Sequence, residues 1–289
     1  MFISLLKTMR PRQWIKNSIV FFALIFDKQL FHIDALSRTL AGVALFSLVA
    51  STVYIFNDIA DIDADRQHPK KKTRPLPSGE LPINVARSAA ILILIFALSV
   101  AYILAPAFAG VLAFYFVMMV AYTKWLKHVP ILDVMIIAAG FVLRVHAGIT
   151  LIEVQRFSPW LYVITTLGAL YLGFGKRLAE LKLLTDGAGS HRKVLDGYTI
   201  PLLDQFITIV SGTTIVAYSL YTFTAPNLPE NHSMMLTIPF VIYAIFRYLQ
   251  LVETSDKTGA PEEVVLTDRP LQIAILLWGL IVMGVFYLS

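Results

Sequence analysis

The stretch "LAGVALFSLVASTVYIFNDIADIDAD", residues 40–65, runs eighteen uncharged residues into a segment with four aspartates. A run of that length predicts a membrane-crossing or fully buried helix, and the helix continues into the charged part. On a helix Asp58, Asp61 and Asp65 follow at i, i+3 and i+7 and share one face, with Asn57 at its border and Asp63 pointing elsewhere. "RQHPKKKTRP" (66–75) then supplies Arg66, Lys70, Lys71, Lys72 and Arg74. One reading is a solvated charged loop. The other is a metal and phosphate site. Clustered carboxylates repel without cations, and oxygen-only ligands suit magnesium, which commonly takes one or two carboxylates and completes its shell with water and phosphates. The cations that follow would take the remaining phosphate charge. The position at the end of an apolar span favours the second reading.

The rest of the chain supports a membrane setting. Of 289 residues, 57% are hydrophobic and 15% charged, and the mean hydropathy is +0.71; a soluble domain carries about 25% charged residues. Nine helices are predicted, about 14–31, 36–56, 84–105, 108–123, 130–150, 159–175, 204–224, 236–252 and 270–288, forming one all-α integral-membrane domain over residues 1–289. "APA" (105–107) leaves room only for a tight hairpin. The absence of cysteine excludes disulfides, thiolate ligands and a cysteine nucleophile. The N-terminus lacks the pattern of a cleaved signal, so the first span is expected to be retained. A net charge of +5 is no sign of a nucleic-acid partner, because the placement of the cations decides. With the N-terminus inside, 19 of the 24 lysines and arginines fall on one side, while Lys28, Arg38 and Arg156 fall on the other. The positive-inside rule makes the crowded side cytoplasmic.

"NDIADIDAD" resembles the N-D-x-x-D-x-x-x-D motif of the UbiA superfamily of intramembrane prenyltransferases. The resemblance implies nine transmembrane helices around a central cavity, with Asn57, Asp58, Asp61 and Asp65 as a magnesium and diphosphate motif. "YTKWLKH" (122–128) is similar to the family's Tyr-x-x-x-Lys region, which makes Tyr122, Lys124 and Lys127 candidate phosphate contacts. The family's second acidic motif, D-x-x-x-D, is replaced by "GFGKRLAELKLL" (173–184). There Glu180 is accompanied by Lys176, Arg177 and Lys182, with Lys176 and Arg177 four and three residues before it on a shared helix face. One carboxylate among three cations suits a direct phosphate clamp better than a second magnesium cage.

That departure resembles the family's decaprenyl-phosphate phosphoribosyltransferase branch. Further matching segments are "RPRQWIKN" (10–17), "LKHVPILDVMIIAAGFVLRVHAG" (126–148), "RKVLDGYT" (192–199) and "GAPEEVVLTDRPLQ" (259–272). The resemblance implies a magnesium-dependent transfer from phosphoribosyl diphosphate to a polyprenyl phosphate in a bacterial inner membrane, with the site facing the cytoplasm. The acceptor is already an anion and needs no general base. A prenyl transferase for aromatic acceptors and a non-enzymatic lipid carrier are the alternatives, and the sequence leaves open a homo-oligomer.

Several further residues are candidates with two readings each. Arg144 lies inside the fifth span, eleven residues after Asp133 and on nearly the same face, so both either line an interior cavity or serve packing. Lys16 and Asn17 sit at the mouth of the first helix, where cations and Trp14 also suit an interfacial anchor. Tyr198 is a phosphate or ribose donor, or a loop cap. Lys70–Lys72 either meet substrate or set topology against anionic headgroups. Arg247, Asp268 and Arg269 form a candidate structural cluster.

Overall fold

Ile33–Ala60 folds as a single helix, α3, of 28 residues. At 1.5 Å per residue it is about 42 Å long, against a hydrocarbon thickness of about 30 Å, so its C-terminal turns reach an aqueous boundary. Asp58 lies in those turns. The structure, a computed structural model, describes residues 1–68, 71–154, 158–185, 193–254, 264–265 and 267–288. Lys70, Arg156, Arg192 and the 259–263 part of the last matching segment lie outside these residues.

The chain order is α1 (Phe2–Met9), a 3-10 helix (Pro11–Val20), α2 (Phe21–Phe26), α3, α4 (Ile62–Gln67), α5 (Ile83–Leu104), α6 (Pro106–Lys124), α7 (Leu132–Ile149), α8 (Trp160–Thr185), α9 (Ile200–Thr224), α10 (Ile238–Thr254) and α11 (Arg269–Tyr287). Proline opens α6, α9 and α11 within the first turn, where its missing N–H costs no hydrogen bond. Side chains complete two of these caps: Thr199 accepts from the Leu202 N–H and Asp268 from the Leu271 N–H. The "APA" break is as tight as expected, with only Ala105, in extended conformation, between α5 and α6.

Among the described residues seven helical segments are long and apolar enough to cross a membrane: α3, α5, α6, α7, α9, Ser233–Thr254 and α11. The other two expected spans are built differently. The 14–31 span is a ten-residue 3-10 helix continued by the six residues of α2. The wider 2 Å rise per residue of a 3-10 helix gives the two pieces a combined length of about 29 Å. The 159–175 span continues as α8 to Thr185, 26 residues in all. Its C-terminal turns carry Lys176, Arg177, Glu180 and Lys182, which dilute its apolar character.

The chain divides into two compact units. The first comprises residues 1–25, 29–127 and 143–154. In it α3 is the central element, packed by α1, the 3-10 helix, α5 and α6. Ala86, Ala90, Ala97 and Ala101 are fully buried, and such small side chains let helices approach closely. Gly148 matters most among the close contacts, because a Cβ there would stand 2.2 Å from the Val20 carbonyl oxygen. Arg38, expected on the non-cytoplasmic side, donates to the Leu104 and Leu151 carbonyls at 2.9 and 2.8 Å, closing the ends of α5 and of the segment after α7. Ile91, Leu92, Ile95 and Phe96 on α5 are exposed, as lipid-facing side chains are.

The second unit comprises residues 26–28, 128–142 and 155–289. Its core joins Val134 to Tyr171, Phe174 and Leu178 of α8, Leu203 and Ile207 of α9 and Tyr248 of α10.

Candidate active site

The aspartate motif straddles a break rather than one continuous helix. α3 ends at Ala60, and Asp61 (φ −98°, ψ 9°) is at once its C-cap and the N-cap of α4. Hydrogen bonds carry the chain across, from Asp61 N–H to the Asn57 carbonyl and from Asp65 N–H to the Asp61 carbonyl. Asp58 and Asp65 are buried at 2% and 3% exposure, while Asp63 stands out in solvent beside Arg66.

Three loops bring cations to these acids. α1 ends at Arg10, whose left-handed backbone (φ 55°, ψ 61°) precedes Pro11. Its guanidinium lies 5.1 Å over the Tyr54 ring, and Nη2 donates to Asp58 Oδ1 at 2.5 Å. The 71–82 loop is pinned by Leu76 and Leu81, each 1% exposed, in a core with Ile55, Ile62, Ala86 and Ala90. That pinning aims Arg74, whose Nη1 bridges Asp58 Oδ1 at 3.3 Å and Asp65 Oδ2 at 2.8 Å. Lys71 Nζ stands 3.4 Å from Asp65 Oδ1. After α6, Lys127 Nζ donates to both oxygens of Asp61, at 2.7 and 3.0 Å.

Of the candidates, Asp58, Asp65 and Arg74 therefore share one ion-paired cluster, Asp61 and Lys127 form a separate pair, and Asn57 is half-buried. Arg66 pairs with Asp63 at 3.3 Å on the exposed side of α4. Lys124 is likewise exposed, its ammonium 5.7 Å over the Trp125 ring. Tyr122 and Lys16 are half-buried. One member, Arg10, is not among the sequence candidates, although the Arg-Pro pair that opens the first span is visible there; Lys71 is one of the three lysines that the sequence leaves open between substrate and topology.

The donor set fits magnesium. It consists of hard carboxylate oxygens, two of them on buried side chains, beside cations suited to phosphate. Among the described residues no three His, Asp or Glu side chains are arranged to hold an ion by themselves.

Arg144 and Asp133, both on α7, make separate sets of contacts. Arg144, 5% exposed, donates to Asn17 Oδ1 at 2.8 Å and to the Tyr115 hydroxyl at 3.1 Å, with its guanidinium over the Phe46 and Tyr115 rings. Asn17 in turn donates to Ser47 Oγ. This network ties the 3-10 helix to α3, α6 and the end of α7.

Asp133 sits in the second unit with no exposure at all. Its Oδ2 accepts from Arg177 Nε and its Oδ1 from the Tyr198 hydroxyl, both at 2.6 Å. Arg177, 2% exposed, also donates to Glu180 at 2.6 Å. The Tyr198 oxygen accepts from the Ile131 N–H, which helps hold Ile131 in a left-handed conformation (φ 71°) that costs a β-branched residue energy. Burial pushes the Tyr198 hydroxyl above its ordinary pKa, and its bond to the Asp133 carboxylate adds to that. Asp133, Arg177 and Tyr198 are thus joined in one buried hydrogen-bond network. Lys176 and Glu180 are half-buried on α8, and Lys182 donates to Glu253 of α10 at 2.5 Å. Arg247 and Asp268 form the expected structural pair, at 2.7 Å.

These features define an all-helical, multi-pass membrane protein with ion-paired aspartates at the end of a span. The chain belongs to the UbiA prenyltransferase family, which it matches over residues 18–267. It is 34% identical over 281 residues to the decaprenyl-phosphate phosphoribosyltransferase of Mycobacterium tuberculosis, covering 94% of this chain and 90% of that one. Against the enzyme of the same name from Corynebacterium glutamicum it is 32% identical over 294 residues, or 98% and 86% of the two chains. The fold matches that of a UbiA homologue from Archaeoglobus fulgidus bound to GPP and Mg2+, with a TM-score of 0.74 at 18% identity over 98% of this chain and 99% of that one.

Proposed function

We propose that this UbiA-family transferase moves a 5-phosphoribosyl group from phosphoribosyl diphosphate to decaprenyl phosphate or a similar polyprenyl phosphate. The observation that carries the reading is the match, over nearly the whole chain, to relatives named decaprenyl-phosphate phosphoribosyltransferase. The site chemistry agrees with it. Where the family's second acidic motif falls, α8 offers Lys176, Arg177 and Lys182 around the single Glu180.

An oxygen of the acceptor phosphate attacks ribose C1, the C1–O bond to diphosphate breaks, and the electron pair leaves with the diphosphate. No proton moves, so no general base is needed. Magnesium held by Asp58, Asp61 and Asp65, with Asn57 beside them, would neutralise charge on the leaving diphosphate. Arg10, Arg74 and Lys127 hold the remaining phosphate oxygens and strengthen their grip as negative charge grows there. Further candidates for phosphate oxygens are Lys16, Tyr122 and Lys124 in the first unit and, in the second, Lys176 and Lys182. Asp133, Arg177 and Tyr198 keep α7 and α8 in register. The donor enters from the cytoplasm, where the positive-inside count puts this cluster, and the acceptor's tail stays in the bilayer. The product is a lipid-linked pentose for cell-wall synthesis.

The test supplies purified protein in lipid nanodiscs with magnesium, phosphoribosyl diphosphate labelled in the ribose, and decaprenyl phosphate. Label should pass to the organic phase, and omission of the acceptor should abolish this. Turnover of a prenyl diphosphate with an aromatic acid, and none of phosphoribosyl diphosphate, would overturn the reading.

A further inference from the structure

Within the first unit, cations already engage each of the three carboxylates that would hold a metal ion. Asp58 Oδ1 accepts from Arg10 and Arg74, and Asp65 gives one oxygen to Arg74 and the other to Lys71. Asp61 is held through both oxygens by Lys127. Four cations thus face three carboxylates. A bare divalent ion approaching them meets an excess of positive charge and lone pairs engaged in charge-assisted hydrogen bonds. A diphosphate changes both conditions, because it carries negative charge to which the arginines and Lys127 can turn.

We infer that the three aspartates take up their divalent ion together with the diphosphate-bearing donor and bind it poorly alone, with Arg10 and Arg74 exchanging from carboxylate to phosphate as the pair enters. This rests on the proposed donor and says how its site fills. The exposure pattern suits the exchange. The Arg10 and Arg74 side chains are 28% and 33% exposed, while those of Asp58 and Asp65 are 3% and 4% exposed, so the arginines stand at the rim and the acids lie below. The backbone beneath Arg10 lies against α3: the Ser51 hydroxyl shares its proton between the Ser47 carbonyl at 2.7 Å and the Met9 carbonyl at 3.1 Å, and Ser51 Oγ accepts from Trp14 Nε1 at 3.0 Å. Its long side chain is the part left to swing. Coupling of this kind is reciprocal, so the ion must raise donor affinity by the factor that the donor raises the ion's.

Mn2+ serves as the probe, titrated by electron paramagnetic resonance into protein in nanodiscs, with and without phosphoribosyl diphosphate and without acceptor. Asp58→Asn marks the binding that belongs to this site. In the wild type the donor should tighten Asp58-dependent Mn2+ binding by about tenfold or more. Arg10→Gln should bind Mn2+ alone about tenfold more tightly than the wild type and should lose most of the donor's enhancement. Arg74→Gln should act in the same direction, and Arg10→Lys should restore much of the enhancement. Equal Mn2+ affinity with and without donor in the wild type overturns the inference and leaves the transferase reading standing. So does an Arg10→Gln or Arg74→Gln protein, folded by size-exclusion, that binds Mn2+ alone no more tightly. Absence of any Asp58-dependent Mn2+ binding under both conditions removes the magnesium reading beneath it as well.

Discussion

Cutting the buried Asp133–Arg177 pair at one end is the sharpest way to separate a positioning network from a substrate contact. Asp133→Leu leaves the Arg177 guanidinium, 2% exposed, facing a hydrocarbon side chain in place of its carboxylate. Removing one partner of such a pair costs about 3–5 kcal/mol, on the order of 10 °C in the unfolding midpoint. Removing both with Asp133→Leu and Arg177→Met eliminates the buried charge and should recover at least half of that loss. Tyr198 and Glu180, which also bond to the pair, keep the recovery incomplete. Thermal unfolding in detergent, followed by size-exclusion of the heated samples, gives the four corners of the cycle. Transfer assayed on the folded fraction of the double variant should stay within about tenfold of wild type, because neither side chain reaches solvent. A double variant no more stable than the weaker single one would refute the coupling. An Asp133→Leu protein of unchanged midpoint whose transfer falls a hundredfold would restore Asp133 to the substrate.

Other expectations follow from the same contacts. Asp58→Asn and Asp61→Asn should each lower transfer by about a hundredfold or more while leaving folded protein in the membrane, and retained activity would remove their magnesium role. Gly148→Ala should destabilise by roughly 1–3 kcal/mol, because its methyl meets the Val20 backbone carbonyl. Gly42→Ala should cost less, since the obstacle there is the end of the flexible Leu151 side chain; equal midpoints for the two variants would contradict this. The hydrogen bond from Arg247, helped by the Leu271 N–H and opposed by burial, holds the Asp268 carboxyl below its ordinary pKa. A depressed folded pKa adds stability above the unfolded value, near 4, and that stability fades as pH falls through the folded value. The midpoint difference between wild type and Asp268→Asn should therefore be full at pH 6 and shrink below about pH 4; a difference that grows on acidification would contradict it.

The sequence showed clearly what local periodicity and charge encode. The uncharged run from Leu40 to Phe56 predicts α3, and the spacing of Asp58, Asp61 and Asp65 predicts the cluster, with Asp63 outside it as observed. What it hid depends on contacts far apart in the chain. Arg10 reaches Asp58 across 48 residues and Arg177 reaches Asp133 across 44. No local pattern marks such pairs; helical phase relates Asp133 to Arg144 but names the partner of neither. The 3-10 geometry of Pro11–Val20 was hidden too, because its hydrophobic residues are compatible with either kind of helix.

The most direct measurement follows oxygen through the transfer. Decaprenyl phosphate labelled with oxygen-18 in its phosphate is given to the protein with magnesium and unlabelled phosphoribosyl diphosphate, and both products are weighed by mass spectrometry. Attack by the acceptor phosphate on ribose C1 should yield a phosphoribosyl lipid that keeps every labelled oxygen, together with unlabelled diphosphate. A lipid that gains phosphate without ribose, labelled oxygen in the released diphosphate, or no lipid product at all from these substrates would contradict phosphoribosyl transfer.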